Sequence, residues 1–403
     1  MKRFFRCLSL ALSALCLAIP AGAAAEGASV PELTVYRREL PASEALEFTK
    51  QLKIGWNLGN TLDAYADPFK GNDLVLEKSW VGTYTTREMF TALHGAGFNT
   101  VRIPVSWHNH VDADFVINEK WLSRVQEVVD YALGEGMYVI LNTHHDNFES
   151  FYYPSGDHMD VSEKYISAIW TQVAARFADY DEHLIFESMN EPRQVGTDHE
   201  WNYDVSNPAC REAADCINRL NQIFVDTVRA SGGKNAERYL MVPGYDASPA
   251  GALSDEFALP KDSAENRLIV SVHAYTPYPF ALDAAGTNEF SLTLNGPQVR
   301  EIVTFMNRLY DRYIKQGIPV VIGEFGARNK QNNLQARVDF AAQYIALASA
   351  RGIPCLWWDN AATRGSGECF GLLDRTSCEF HFPEIVDALM RYAGYDSLPE
   401  FQG

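Results

Sequence analysis

The chain has 403 residues, of which 47% are hydrophobic, 12% aromatic and 21% charged. That is enough apolar material for a large core, and it excludes a disordered chain or a disulfide-stapled miniprotein. The formal net charge of −18 repels polyphosphates, which excludes nucleic acid and anionic membrane surfaces as natural partners and favours a neutral or cationic ligand.

Lys2, Arg3 and Arg6 open the chain, an apolar run follows from Leu8 to Ile19, and Pro20-Ala21-Gly22-Ala23-Ala24-Ala25 supplies the small residues signal peptidase needs. Residues 1–25 are therefore expected to form a secretory signal peptide. The apolar run is shorter than the roughly 20 helical residues that cross a bilayer. The mature protein is expected outside the cytoplasm, extracellular or periplasmic, without membrane association. In that oxidising setting Cys210 with Cys216, and Cys369 with Cys378, are spaced to close short loops, leaving Cys355 as a buried thiol.

Residues 26–45 lack periodicity and read as an irregular N-terminal segment. From there a unit repeats. Short apolar or β-branched runs at Lys53–Asn60, Thr100–Trp107, Tyr138–Asp146, Leu184–Glu191, Tyr239–Asp246, Leu268–Thr276, Val320–Ala327 and Ile353–Asn360 predict strands. Helical patterns at Thr86–Ala96, Glu119–Gly134, Ser162–Tyr180, Arg211–Ala230, Gln298–Gln316, Leu334–Arg351 and Pro383–Tyr392 lie between most of them or close the chain. This alternation predicts an α/β protein, a single (β/α)8 TIM barrel over residues 46–396 with a short tail at 397–403. A doubly wound open sheet is disfavoured, because no Gly-x-Gly-x-x-Gly follows the first strand. Long connections at Leu62–Tyr84, Arg193–Cys210, Pro277–Gly296 and Ala361–Phe380 all follow strands, on the face where barrel enzymes keep their sites.

A buried parallel strand should be apolar, so ionisable groups within one need a reason. Arg102, Thr143-His144-His145-Asp146, Asn190-Glu191-Pro192, His273-Ala274-Tyr275, Glu324-Phe325-Gly326 and Trp357-Trp358-Asp359-Asn360 supply such groups. All converge on one barrel mouth. Two carboxylates on non-adjacent strands, beside Arg, His, Tyr and Trp, match what glycoside hydrolysis requires: one acid protonates the leaving oxygen while the other carboxylate attacks or activates water. Glu187, four positions before Glu191 and on the same side of its strand, reads instead as a structural interior carboxylate.

The motifs Gly55-Trp56-Asn57-Leu58-Gly59-Asn60, Val101-Arg102-Ile103-Pro104-Val105, Asn142-Thr143-His144-His145, Met189-Asn190-Glu191-Pro192, His273-Ala274-Tyr275, Gly323-Glu324-Phe325-Gly326 and Trp357-Trp358-Asp359-Asn360 resemble those of glycoside hydrolase family 5. The likeness is to the endoglucanase branch of clan A that includes xyloglucanases and lichenases. It covers essentially the whole mature chain. It implies a retaining endo-β-1,4-glucanase with Glu191 as acid/base and Glu324 as nucleophile, their carboxyls ~5–5.5 Å apart. It also implies Asn190 on the sugar 2-hydroxyl, His144 and His273 orienting carboxylates and sugar, and His145 as a secondary contact.

Arg102 and Tyr275 are expected to keep Glu324 ionised, and that charge to raise the pKa of Glu191. Trp358 is the expected platform under a pyranose ring, with Trp357 as the alternative. Asp63, Trp80, Trp201 and Tyr278, in long loops, read equally as subsite or plain surface residues. The expected partner is a β-glucan, with no cofactor or metal and the protein a monomer; xyloglucan, mannan or xylan are alternative substrates. A metal-dependent hydrolase using His144, His145, Asp146 and His273 is the distant alternative.

Overall fold

The computed structural model describes residues 27–68 and 74–400. The leader read in residues 1–25 lies outside the described residues. Each predicted apolar run contains a strand: β1 (Ile54–Leu58), β2 (Thr100–Ile103), β3 (Tyr138–Asn142), β4 (Leu184–Glu187), β5 (Leu240–Pro243), β6 (Leu268–His273), β7 (Val320–Phe325) and β8 (Cys355–Asp359). They run parallel in chain order, and β8 closes on β1 to complete the barrel. The helices are α1 (Glu44–Lys50), α2 (Arg87–Gly95), α3 (Glu119–Gly134), α4 (Met159–Arg176), α5 (Pro208–Ala230), α6 (Pro249–Ala252), α7 (Tyr278–Ala281), α8 (Pro297–Arg312), α9 (Leu334–Ser349) and α10 (Pro383–Arg391).

Local sequence sets these boundaries. The Asn118 side chain accepts from the backbone of Lys120 and Trp121 and fixes the start of α3. Asn207 caps α5 ahead of Pro208, so that helix begins before the expected Arg211. After β5 the regular alternation lapses into the short α6, because Gly244 and Gly251 bring their backbones together; a Cβ on Gly244 would stand 2.8 Å from the Gly251 carbonyl carbon.

Strand alternation sorts the core into two layers. Trp56, Val101, Ile103, Leu141, Phe186, Val242, Val272, Ile322, Phe325 and Trp357 face the helices. Ile140, Ile185, Met241, Ile269, Val321 and Leu356 instead form one interior cluster at the barrel floor, closed from below by Ala45 and Phe48 of α1 and by Leu52. Each such side chain, fully buried, contributes about 1.5–3 kcal/mol. Above this floor the inward positions turn polar, with Asn57, Arg102, Asn142, Glu187 and Ser271 all fully buried.

Strict alternation from Val321 would send Glu324 outward. Register shifts at Val272/His273 and between Ile322 and Phe325 set Glu324 opposite His273 and turn it into the mouth.

The expected cysteine bridges do not form, and all five described cysteines are free. Cys210 and Cys216 lie on the one helix α5. Six residues apart there, they are separated by ~9 Å of helical rise, beyond disulfide reach. No helix of the described residues is long and apolar enough to cross a membrane.

Candidate active site

Arg102 is the hub of the polar layer. Its Nε donates to Glu187 Oε2 (2.7 Å), Nη1 to Glu324 Oε1 (2.7 Å) and Asn57 Oδ1 (3.1 Å), and Nη2 to Asn190 Oδ1 (2.7 Å). From β2 the guanidinium fork satisfies partners on β1 and β7 and on or just past β4 at once. Burial pushes the Arg102 pKa down, but the charges of Glu187 and Glu324 raise it further, so the cation is secure. Glu187 also accepts from Ser271 Oγ (2.6 Å) and Asn142 Nδ2 (3.0 Å), which saturates it as an interior anchor, as its strand position predicted.

Glu324 is gripped at both oxygens, Oε1 by Arg102 and Oε2 by the Tyr275 hydroxyl at 2.9 Å. Burial, then the charges of Glu324 and Glu191, hold the Tyr275 phenol well above its ordinary pKa, so it stays a donor. Glu191, just past β4, receives His273 Nδ1 at Oε1 (2.8 Å), and its Oε2 lies 3.8 Å from Arg193 Nη1. Carboxylate oxygens of Glu191 and Glu324 come within 4.8 Å of each other. The Glu191 side chain is 16% exposed and that of Glu324 6%, so both open onto the mouth while their bases are enclosed.

The charge balance on Glu191 differs from the sequence expectation. Burial raises its pKa, yet His273, Arg193 and Arg102 outweigh burial, and the net direction is downward. Burial lowers His273, and Glu324 and Glu191 then raise it above its ordinary value. The His273 contact, first among the causes that lower Glu191, replaces the upward shift expected from Glu324. In the open site the pair therefore holds its proton on the imidazole.

Asn190 spends Oδ1 on Arg102, leaving its amide nitrogen as a donor for a bound molecule. His144 is buried; Asn142 Nδ2 donates to its Nδ1 (3.2 Å), so its proton sits on Nε2. Burial first, then His145, Arg102, His273 and Arg193, hold its pKa well below the ordinary value, and the ring is neutral. It lies parallel to Trp358, with centroids 5.7 Å apart.

Trp358 sits in register with Asn57, on the inward face of β8. Trp357 is corrected as a platform candidate: it pairs with the outward Trp56, is fully buried, and donates its indole N–H to Phe370 O (2.9 Å). His145 stands nearer solvent, 3.6 Å from Asp63 Oδ2 and beside the rings of Tyr65 and Trp80. Trp201 and Tyr278 remain on the rim, 60% and 57% exposed, with Arg193 stacked 3.7 Å from the Trp201 ring centroid.

The metal alternative is not assembled. Asp146 turns away to accept from the Trp107 and His108 backbones and the His108 ring. Asp63, His144 and His145 do bring donor atoms within 4.8 Å, but the proton on His144 Nε2 and the Asn142 bond at Nδ1 leave that ring no lone pair for a cation. Asn57, Asn142, Tyr65, Arg193 and Asp246 were not singled out from sequence. Of these, Arg193 had a local signal, a base directly after Asn190-Glu191-Pro192.

Residues 62–364 match the model of the family described as cellulase (glycosyl hydrolase family 5). Endoglucanase B of Ruminococcus albus is 42% identical over 379 residues, covering 93% of this chain and 87% of that protein. A family 5 lichenase from Caldicellulosiruptor sp. F32 superimposes with a TM-score of 0.88 at 54% identity, covering 91% of this chain and 99% of the other. A broad-specificity endoglucanase from Ruminococcus champanellensis, solved with cellotriose, gives 0.80 at 42% identity, covering 88% and 100%. With the barrel, the paired carboxylates and this likeness over nearly its whole length, the chain belongs to glycosyl hydrolase family 5 and is a glycoside hydrolase of the cellulase type.

Proposed function

We propose that the protein is a secreted, monomeric, retaining endo-β-1,4-glucanase acting on mixed-linkage or cellulose-like glucans, with Glu324 as nucleophile and Glu191 as acid/base. The observation that carries this reading is the approach of the two carboxylates to within 4.8 Å. Retention goes with a separation of about 5–5.5 Å, whereas inversion leaves ~6.5–9.5 Å for an intervening water.

Arg102 and Tyr275 grip Glu324 at both oxygens and aim it, so one oxygen attacks the anomeric carbon as the glycosidic bond breaks. A neutral sugar entering the mouth displaces water and disfavours the Glu191–His273 ion pair, which drives the proton across the 2.8 Å contact onto Glu191. Glu191 then protonates the leaving oxygen. With Glu324 esterified, Glu191 takes a proton from water, which attacks the anomeric carbon and releases Glu324. Asn190 donates to the 2-hydroxyl next to the reacting carbon, and Trp358, His144 and His145 receive the sugar on the donor side.

The lichenase relative at 54% identity supports mixed-linkage glucan ahead of xylan or mannan. Reducing ends released from barley β-glucan, carboxymethyl cellulose, xyloglucan, xylan and mannan test the reading, with wild type, Glu191→Gln and Glu324→Gln in parallel. Preference for β-glucans with both variants nearly silent is expected. A variant at full rate contradicts the assignment.

A further inference from the structure

Asp246 has no part in the scheme above, yet it stands beside it. Its backbone N–H donates to Pro192 O (2.8 Å), so the loop after β5 is tied to the residue that follows Glu191. Its backbone is left-handed, with φ 57°, and Ala247 follows at φ 46°. Gly244 and Gly251 pack tightly behind the turn, and Tyr245 is anchored through its hydroxyl to His199 O (3.0 Å). Asp246 Oδ1 is nevertheless buried without a hydrogen-bond partner. With Oδ1 sealed off and the residue only partly buried, it is Oδ2, held in a rigid, strained turn beside the reaction centre, that is left to meet a ligand.

Its position says which part of the ligand. Trp358 on β8, Asn57 on β1 and His144 after β3 lie around one side of the mouth, and Glu191 after β4 comes next in the closed order. Asp246 follows β5, beyond Glu191. An acid that protonates the glycosidic oxygen stands between the two sugars that the oxygen joins. The far side of Glu191 therefore receives the leaving sugar.

We propose that Asp246 hydrogen-bonds a hydroxyl of the leaving-group sugar and favours substrates that carry a sugar there. This rests on the acid/base reading of Glu191. Burial raises the Asp246 pKa well above the ordinary value, Glu191, Glu200 and Glu324 add to the rise, and Arg193 opposes it. A protonated carboxyl offers both a donor and an acceptor, matching a sugar hydroxyl that is also both.

The test compares a cello-oligosaccharide, which places a sugar beyond Glu191, with a 4-nitrophenyl β-cello-oligosaccharide cleaved at the aryl bond, which does not. Asp246→Gly suits the left-handed backbone, Asp246→Ser shortens the side chain, and Asp246→Asn keeps a donor and an acceptor. Gly and Ser are expected to lose about tenfold in kcat/KM on the oligosaccharide, with nitrophenol release within about twofold of wild type. Asn is expected to keep most of the activity. Equal losses on both substrates, or no loss on either, overturn the proposal. Wild type silent on both overturns the glucanase reading itself, and the role of Asp246 with it.

Discussion

His273 Nδ1 lies 2.8 Å from Glu191 Oε1, and this contact reverses the expected charge of the acid. His273 is raised above 6.5 and Glu191 lowered below 4.5. The raised histidine contributes stability that is full below its unfolded pKa and is lost as pH rises through the folded one. The lowered carboxylate contributes stability present above its unfolded pKa and lost as pH falls through the folded one. Melting temperatures of wild type and His273→Gln should therefore differ most between about pH 5 and 6.5, and converge in alkali. The alkaline limb of wild-type kcat/KM, where the pair loses its proton, should lie above the ordinary histidine range. A gap that widens steadily into alkali contradicts the ion pair.

Arg102 satisfies Glu187, Glu324, Asn57 and Asn190 together. Arg102→Met leaves two carboxylates buried without their cation. We expect a loss of about 3–5 kcal/mol in denaturant unfolding and near-complete loss of activity. Arg102→Lys, which lacks the fork, should recover part of the stability and little of the rate.

The two neighbouring tryptophans should separate cleanly. Trp357→Ala is expected to cost about 3–5 kcal/mol through a core cavity. Trp358→Ala should leave the melting temperature much closer to wild type and raise KM roughly tenfold, the loss of a stacking surface. Melting curves and Michaelis kinetics on β-glucan check both. The reverse pattern contradicts the inward register of Trp358.

Cys210 and Cys216 should remain thiols even in protein purified from an oxidising medium. Alkylation of the unfolded, unreduced chain is expected to label both, as read by peptide mass. A bridged Cys210–Cys216 peptide contradicts an unbroken α5.

The barrel was legible in the alternation of apolar runs and helical patterns, and the site in the ionisable residues Arg102, Glu191, His273 and Glu324, which stand out in largely apolar runs. Glu187 was legible too, through its spacing from Glu191. What was hidden depended on register and non-local contact. Period-two alternation alone would point Glu324 at the helices, and only the β7 irregularity turns it inward. Trp357 and Trp358 are indistinguishable until Asn57 and Trp56 are known to be their partners. The sign of the Glu191 shift depends on His273, 82 positions away. Asp246 stands in sequence as the last residue of the predicted strand Tyr239–Asp246, and its unmatched oxygen appears only once the loops fold over it.

Carboxylates within 4.8 Å of each other are placed for a double displacement. Proton NMR of the first reducing ends released from barley β-glucan, recorded before mutarotation, distinguishes it from single displacement. Double displacement gives the β-anomer at the earliest times, with the α-anomer growing in later. An initial α-anomer means single displacement by water, and contradicts the assignment of Glu324 as nucleophile.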